Sequence, residues 1–168
     1  MPSVRIKKEL NSSIYFLTIT VKNWYYVLDR YDRWDILANS LKFFQNKKGL
    51  KIFGFVFMTN HIHLLIFSDD VSGFVRDFKK FTAREILANI QKTEPSILKL
   101  FLSEDGNHFW SKTNMPELIE SEKFFAQKLN YIHNNPVKRN YVEIPENWHW
   151  SSANPNSGIK IESVYEYE

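Results

Sequence analysis

Hydrophobic positions crowd residues 51–67, KIFGFVFMTNHIHLLIF, and are broken by the polar Thr59, Asn60, His61 and His63. Two strand-like runs, 51–57 and 61–67, flank Met58-Thr59-Asn60, a spacing that predicts a β-hairpin. Side chains on a strand point to alternate faces, so His61, His63, Leu65 and Phe67 share one face. Ile62, Leu64 and Ile66 occupy the other, which is wholly apolar and suits a core.

The remaining elements follow from the same reading. Residues 14–22, IYFLTITVK, are β-branched and aromatic and predict a first strand with Tyr15, Leu17, Ile19 and Val21 on one face. Over 32–48 the period becomes helical, with Trp34, Leu37, Leu41 and Phe44 in one stripe and Gly49 as the stop. A second helix is predicted over 72–92, capped by Ser72, with Phe74, Phe78 and Phe81 inward. Pro95 and Asp105-Gly106 break the pattern over 93–108, which reads as a loop with one helical turn. An extended stretch, 109–119, surrounds Trp110, and Pro116 assigns it to an edge. Ser121 caps a third helix reaching about Asn134 and ended by Pro136, with Phe125, Leu129 and Ile132 buried. The tail bearing Trp148 and Trp150 reads as an irregular wrap that frays after Pro155. The order strand, helix, strand, strand, helix, strand, helix is that of an α+β ferredoxin-like sandwich. Its antiparallel sheet is followed by an added C-terminal helix, in a single domain over 1–168.

Composition narrows the class. At 43% hydrophobic and 16% aromatic, the chain has ample material for one packed core. With no Cys, it has neither disulfides nor thiolate metal sites, as befits a reducing compartment. The longest apolar runs fall short of a membrane span, and the basic N-terminus before IYFLTITV lacks a cleavage site. The expectation is a cytoplasmic protein without membrane contact. A net charge of +3 hardly favours a polyanion, so any nucleic-acid site must be patterned locally.

Candidate chemistry begins with His61 and His63, whose Cα atoms should lie ~6.5–7 Å apart on one strand face. Imidazoles so placed can converge on one metal ion, or can simply be packed or surface residues. At the end of the third helix, Tyr131 and Asn135 are four apart and share a face that also carries Phe124 and Lys128. Tyr131 can be an ordinary amphipathic residue there, and Asn135 a helix terminus. His133 points away, to the other side of the helix.

Taken together, these motifs resemble the single-tyrosine HUH transposases, most nearly those associated with repetitive extragenic palindromes. The resemblance rests on Met58-Thr59-Asn60-His61-Ile62-His63, on Tyr131-Ile132-His133-Asn134-Asn135-Pro136-Val137, and on Trp150-Ser151-Ser152. It covers about residues 10 to 153. It implies that His61 and His63 hold a divalent ion with Asn135 as third ligand, and that Tyr131 is the nucleophile on single-stranded or hairpin DNA. Asn135 stands where the insertion-sequence branch carries Gln, which favours the palindrome-associated branch. Ser111-Lys112-Thr113 departs from a Gln-rich run typical of relatives and bears on DNA-sequence preference.

Chemistry agrees with that set. A phenol with pKa near ~10 is a weak nucleophile at neutral pH and needs a phosphate whose charge is neutralised. Two imidazoles and an amide leave an ion's charge intact for that purpose, and the mixed donors suit Mg²⁺ or Mn²⁺. The expected product is a 5′-phosphotyrosine with a free 3′-hydroxyl. Arg76, Lys80 and Arg84 recur every four residues, with Lys79 beside them, as a candidate phosphate track. Lys128, Lys138 and Arg139 extend it around the tyrosine helix. Trp24, Tyr25 and Tyr26 can stack on unpaired bases, although capping the core is the plainer reading. Two alternatives share parts of this pattern: a DNA-binding protein of the same lineage that no longer cleaves, and an unrelated metal-dependent hydrolase. Monomer and homodimer are both compatible with the sequence.

Overall fold

The structure, a computed structural model, describes residues 5–164. Strand β1 (Ser13–Thr20) leads through a strapped loop to helix α1 (Arg33–Lys48). The hairpin β2 (Lys51–Phe57) and β3 (His61–Ser68) follows, then α2 (Val71–Thr93) and a 3₁₀ segment, Pro95–Phe101. A small ribbon, β4 (Leu102–Ser103) with β5 (Gly106–Asn107), precedes the short edge strand β6 (Glu117–Leu118) and α3 (Glu122–Lys138). The sheet order is β2-β3-β1-β6, antiparallel throughout, which is the expected ferredoxin-like topology.

The strand alternation divides the molecule into two layers. Tyr15, Leu17, Ile19, Ile62, Leu64 and Ile66 face α1 and α2 and form the main core. Phe16, Val56, Leu65 and Ile132 form a second, smaller core beneath α3. A bulge near Ile52 and Gly54 interrupts the β2–β3 register and brings α3 very close to β2. A Cβ on Gly54 would sit 2.6 Å from Leu129 Cδ1, so any larger residue there would make the Leu129 side chain shift.

Several local expectations are corrected. The α2 cap is Asp70, whose carboxylate accepts from the Gly73 amide at 2.9 Å, rather than Ser72. Phe81 is exposed; the inward position belongs to Thr82, which receives the buried Trp110 indole N–H at 3.0 Å and itself donates to the Phe78 carbonyl. Pro136 does not end α3. The helix runs on to Lys138, because a proline in the last turn removes a single amide donor. The stretch after Pro155 is held as far as residue 164, since Ile159 is buried and the Glu162 amide bonds the Ile52 carbonyl. Residues 165–168 of that tail lie outside the described residues.

The tail is also more regular than a wrap. Phe57 N–H donates to the Trp150 carbonyl at 2.8 Å and Ser152 N–H to the Phe55 carbonyl at 2.9 Å. Residues 148–152 thus cover the outer edge of β2, which an unpaired strand would otherwise expose. Among the described residues, no helix is long and apolar enough to cross a membrane.

Candidate functional site

Alternation along β1 and β3 builds the site. Thr18 pairs with His63 and Thr20 with His61 across the two strands, so polar side chains gather at one end of the α3 face. Both histidines are buried, at 3% exposure each. Their rings lie 4.8 Å apart, centroid to centroid.

Neighbouring groups orient each ring. The Asn60 amide N–H₂ donates to the Trp24 carbonyl at 3.3 Å, which turns Asn60 Oδ1 towards His61 Nδ1 at 2.7 Å. An amide oxygen only accepts, so His61 Nδ1 carries the proton and Nε2 keeps its lone pair. His63 Nδ1 meets Thr18 Oγ1 at 3.0 Å, and the ring stacks on Phe16 at 5.2 Å. His63 Nε2 is buried with no hydrogen-bond partner. Burial, reinforced by Arg139, lowers the His61 pKa to about 4. Burial lowers that of His63 to about 3, with His61, Lys128 and Arg139 adding to it and a Leu17 backbone bond opposing. Both rings are therefore neutral at pH 7, the form in which imidazole binds metals.

Helix α3 closes this end of the sheet. Ser121 caps it as expected, accepting from the Phe124 amide at 3.1 Å. The Tyr131 ring stands 5.2 Å from His63 and 5.9 Å from Phe16, with 43% of the residue exposed. One turn further on, Asn135 is 6% exposed, and its Oδ1 is buried without a partner. Lys128, one turn before, lies 5.7 Å from the Tyr131 ring and 4.5 Å from Phe16, bound to Glu117 at 2.9 Å. His133 faces elsewhere, as its place on the helix implied, and bonds Ser152 Oγ at 2.8 Å.

The candidate DNA residues divide between the layers. Lys128 borders the site, and Arg139 is close enough to oppose protonation of His61. Lys138 and Arg139 are exposed at the end of α3. Arg76, Lys80 and Arg84 are exposed on α2, which covers the opposite face of the sheet. Lys79 is engaged internally: its ammonium donates to the Ser111 carbonyl and to Asn114 Oδ1, both at 2.8 Å. Burial brings its pKa down to about 8.

Sequence reading missed Thr18, Asn60 and Glu117 as supports. The signal for Thr18 was present, since two threonines on the second face of an otherwise apolar strand call for a polar partner. Asn60 was quoted in the histidine motif without a role. A cavity of about 900 Å³ lies away from His61 and His63 and is lined by Phe53, Phe67, Phe125, Leu129 and Val164.

A ferredoxin-like sheet with two buried histidines beside a helix-borne tyrosine has the outline of a single-tyrosine transposase. Residues 9–135, which include His61, His63, Tyr131 and Asn135, match the family described as transposase, IS200-like. The chain belongs to that family. A Haemophilus influenzae protein with the provisional name REP-associated tyrosine transposase is 42% identical over 43 residues. That match covers 26% of this chain and 24% of the relative, so the chain aligns with only about a quarter of that protein's length. Among solved structures, a REP-associated tyrosine transposase bound to a REP hairpin superposes with a TM-score of 0.70. The identity is 18%, over 90% of this chain and 82% of that one. A Deinococcus radiodurans R1 protein provisionally described as a transposase gives a TM-score of 0.50 at 22% identity, over 78% of this chain and 96% of that one. At these identities both structures speak for the fold alone.

Proposed function

We propose that this chain cleaves and rejoins single-stranded or hairpin DNA through a 5′-phosphotyrosine intermediate at Tyr131, with a divalent ion held by His61, His63 and Asn135. One observation carries this reading: His63 Nε2 and Asn135 Oδ1 are both buried without partners, beside an exposed tyrosine. Burying an unpaired polar atom costs about 1–3 kcal/mol, so each of the two asks for a partner, and one ion would serve both. Each imidazole uses Nδ1 in a contact of its own, and at His61 the Asn60 oxygen fixes the tautomer that leaves Nε2 with its lone pair, as second contacts do in metal sites. Among the described residues no three of His, Cys, Asp and Glu come together, and this donor set is two neutral imidazoles and an amide. Such donors suit Mg²⁺ or Mn²⁺, and the ion, when bound, withdraws charge from a phosphate oxygen.

The chain's own groups do the rest. Tyr131 Oη attacks phosphorus and loses its proton while the bond from phosphorus to the 3′-oxygen breaks. The 3′-oxygen leaves as a hydroxyl, and the 5′-phosphate remains on the tyrosine. Because one phosphodiester replaces another, the linkage keeps its energy for the reverse attack. Lys128 places a cation next to the nucleophile, where negative charge gathers in the transition state. Arg139 does the same at the mouth beside His61. The REP hairpin of the solved relative supports a hairpin as the substrate. The stripe on α2 can meet only a part of that DNA remote from the scissile phosphate.

Denaturing electrophoresis of the protein with end-labelled hairpin DNA and Mg²⁺ or Mn²⁺ tests the reading. A covalent adduct is expected for the wild type, lost with a chelator or in Tyr131→Phe, which should still bind DNA within a few-fold. Cleavage without adduct would indicate a hydrolase that uses water. Binding without cleavage would indicate a silent DNA-binding protein.

A further inference from the structure

The geometry points to Trp24 as a stacking platform for one unpaired nucleobase, next to the phosphate presented to Tyr131. This rests on the proposed reaction with single-stranded DNA and adds a binding position to it. Trp24 is 52% exposed, although tryptophan is among the side chains that gain most from burial. Its indole stands 5.7 Å from the His61 ring, at the outer end of the row that continues through His63 to Tyr131. The three ring contacts in series keep a base laid on it within a few nucleotides of a phosphate at the tyrosine.

The backbone holds this position against its own preference. Asn23 and Trp24 have φ of 53° and 58°, the left-handed region that bulky residues rarely adopt. Four of the six such non-glycine residues among those described, Asn23, Trp24, Tyr31 and Asp32, lie in the loop between β1 and α1. The loop is strapped to the hairpin turn at both ends: Val21 N–H donates to the Asn60 carbonyl and Leu28 N–H to the Thr59 carbonyl. Asn60 also ties the Trp24 carbonyl to the orientation of His61. Strain maintained by surrounding bonds marks a position kept for use.

The neighbours divide roles in a way that suits single-stranded DNA. Tyr25, in the same segment, turns inward against Phe101, so the loop can bury an aromatic when it needs one. Trp24 is left outside. Arg139 adds positive charge near enough to act on His61, the ring that Trp24 meets. An aromatic face for a base beside a cation for the backbone is the combination by which proteins hold unpaired strands, and it is tolerant of sequence.

The test measures binding of a short labelled oligothymidylate, with Tyr131→Phe as background so that no chemistry interferes. Trp24→Gly removes the ring at a backbone conformation glycine adopts freely, so it should melt within a few degrees of the parent. Its affinity should fall roughly 5- to 150-fold, the range for losing one stacked base, while Trp24→Phe should stay within a few-fold. A single abasic residue moved along the strand should weaken the parent at one position and leave Trp24→Gly unaffected there. Equal affinity of parent and Trp24→Gly, or the same abasic profile for both, would overturn the platform. If the wild type still forms its adduct in that case, the reaction stands and only the stacking is lost. Failure of the parent to bind the strand at all would also overturn the platform, and the adduct assay on hairpin DNA would then decide the reaction separately.

Discussion

The two layers of this molecule bury polar groups in opposite ways. Between α1 and α2, Arg33 is fully buried and its guanidinium is fully engaged, with the Val27 carbonyl at 2.7 Å, Asn89 at 2.9 Å, Thr93 at 3.1 Å and Glu94 at 2.8 Å. Beneath α3, His63 Nε2 and Asn135 Oδ1 are equally shut away and have nothing to bond. The one other buried side-chain atom among the described residues without a partner, Ser40 Oγ, lies on a helix, where a hydroxyl can turn to a carbonyl of the preceding turn. A satisfied cluster stabilises a fold. An unsatisfied one, set beside an exposed tyrosine, is what the proposed metal site would require.

This contrast predicts opposite outcomes for substitutions in the two clusters, and these are the largest effects expected. Arg33→Met should destabilise by about 2–4 kcal/mol, because it leaves the Val27 carbonyl and Asn89 without their donor. The variant that remains folded should form DNA adduct at the normal rate. Asn135→Leu should leave stability unchanged or raise it, since an unpaired acceptor is replaced by an apolar group, yet adduct formation should fall at least ~10–100-fold. Urea unfolding with a parallel adduct assay reads both. An Asn135→Leu chain that unfolds readily but cleaves when folded would make Asn135 structural.

How much of this could be read beforehand differs between the two layers as well. The main core was legible because it follows period: Leu17, Ile19, Ile62 and Leu64 alternate, and the helices repeat at 3.6. Spacing put His61 and His63 on one strand face and Tyr131 and Asn135 on one helix face but left each pair open to ordinary packing; only the resemblance to the single-tyrosine transposases joined them. The Arg33 cluster was not, because it joins the first turn of α1 to the end of α2 across 61 positions in sequence, and no periodicity encodes that. Phe81 misled for a related reason. Its spacing fits the stripe, but Trp110 arrives from a distant strand and claims the inward slot for Thr82. Pro136 misled because a rule for helix interiors was applied to a last turn.

The histidines sharpen the comparison through pH. Their folded pKa values, about 4 and about 3, lie below the ordinary 6.5. Between pH 6.5 and 4 the unfolded chain therefore binds more protons than the fold, so stability falls as pH falls. In metal-free protein the two rings should account for a loss on the order of 5 kcal/mol by pH 4. Carboxylates also titrate in this window, so the informative quantity is the difference from His61→Leu with His63→Leu. That double variant should show a visibly shallower decline in urea midpoint. Parallel declines for the two proteins would mean that the rings are open to solvent protons and that the α3 face is not sealed.

The smallest effect expected concerns the basic stripe, which tests whether the α1–α2 layer takes any part in recognition. Arg76 and Arg84 are more than 70% exposed, but each leans on an adjacent acid, Asp77 at 3.0 Å and Glu85 at 3.6 Å. The sheet stands between them and the histidines, so they can act only on the reach of DNA, never on the chemistry. Replacing Arg76, Lys80 and Arg84 together by Ala should weaken hairpin binding at low salt and flatten the plot of log affinity against log salt by about 2–3 units. At saturating DNA the rate of adduct formation should not change. A slope identical to that of the wild type would make the stripe a solvated helix surface, with recognition confined to the face that carries Tyr131. An altered rate at saturation would show instead that the layer behind the sheet communicates with the site, against the separation argued from its packing.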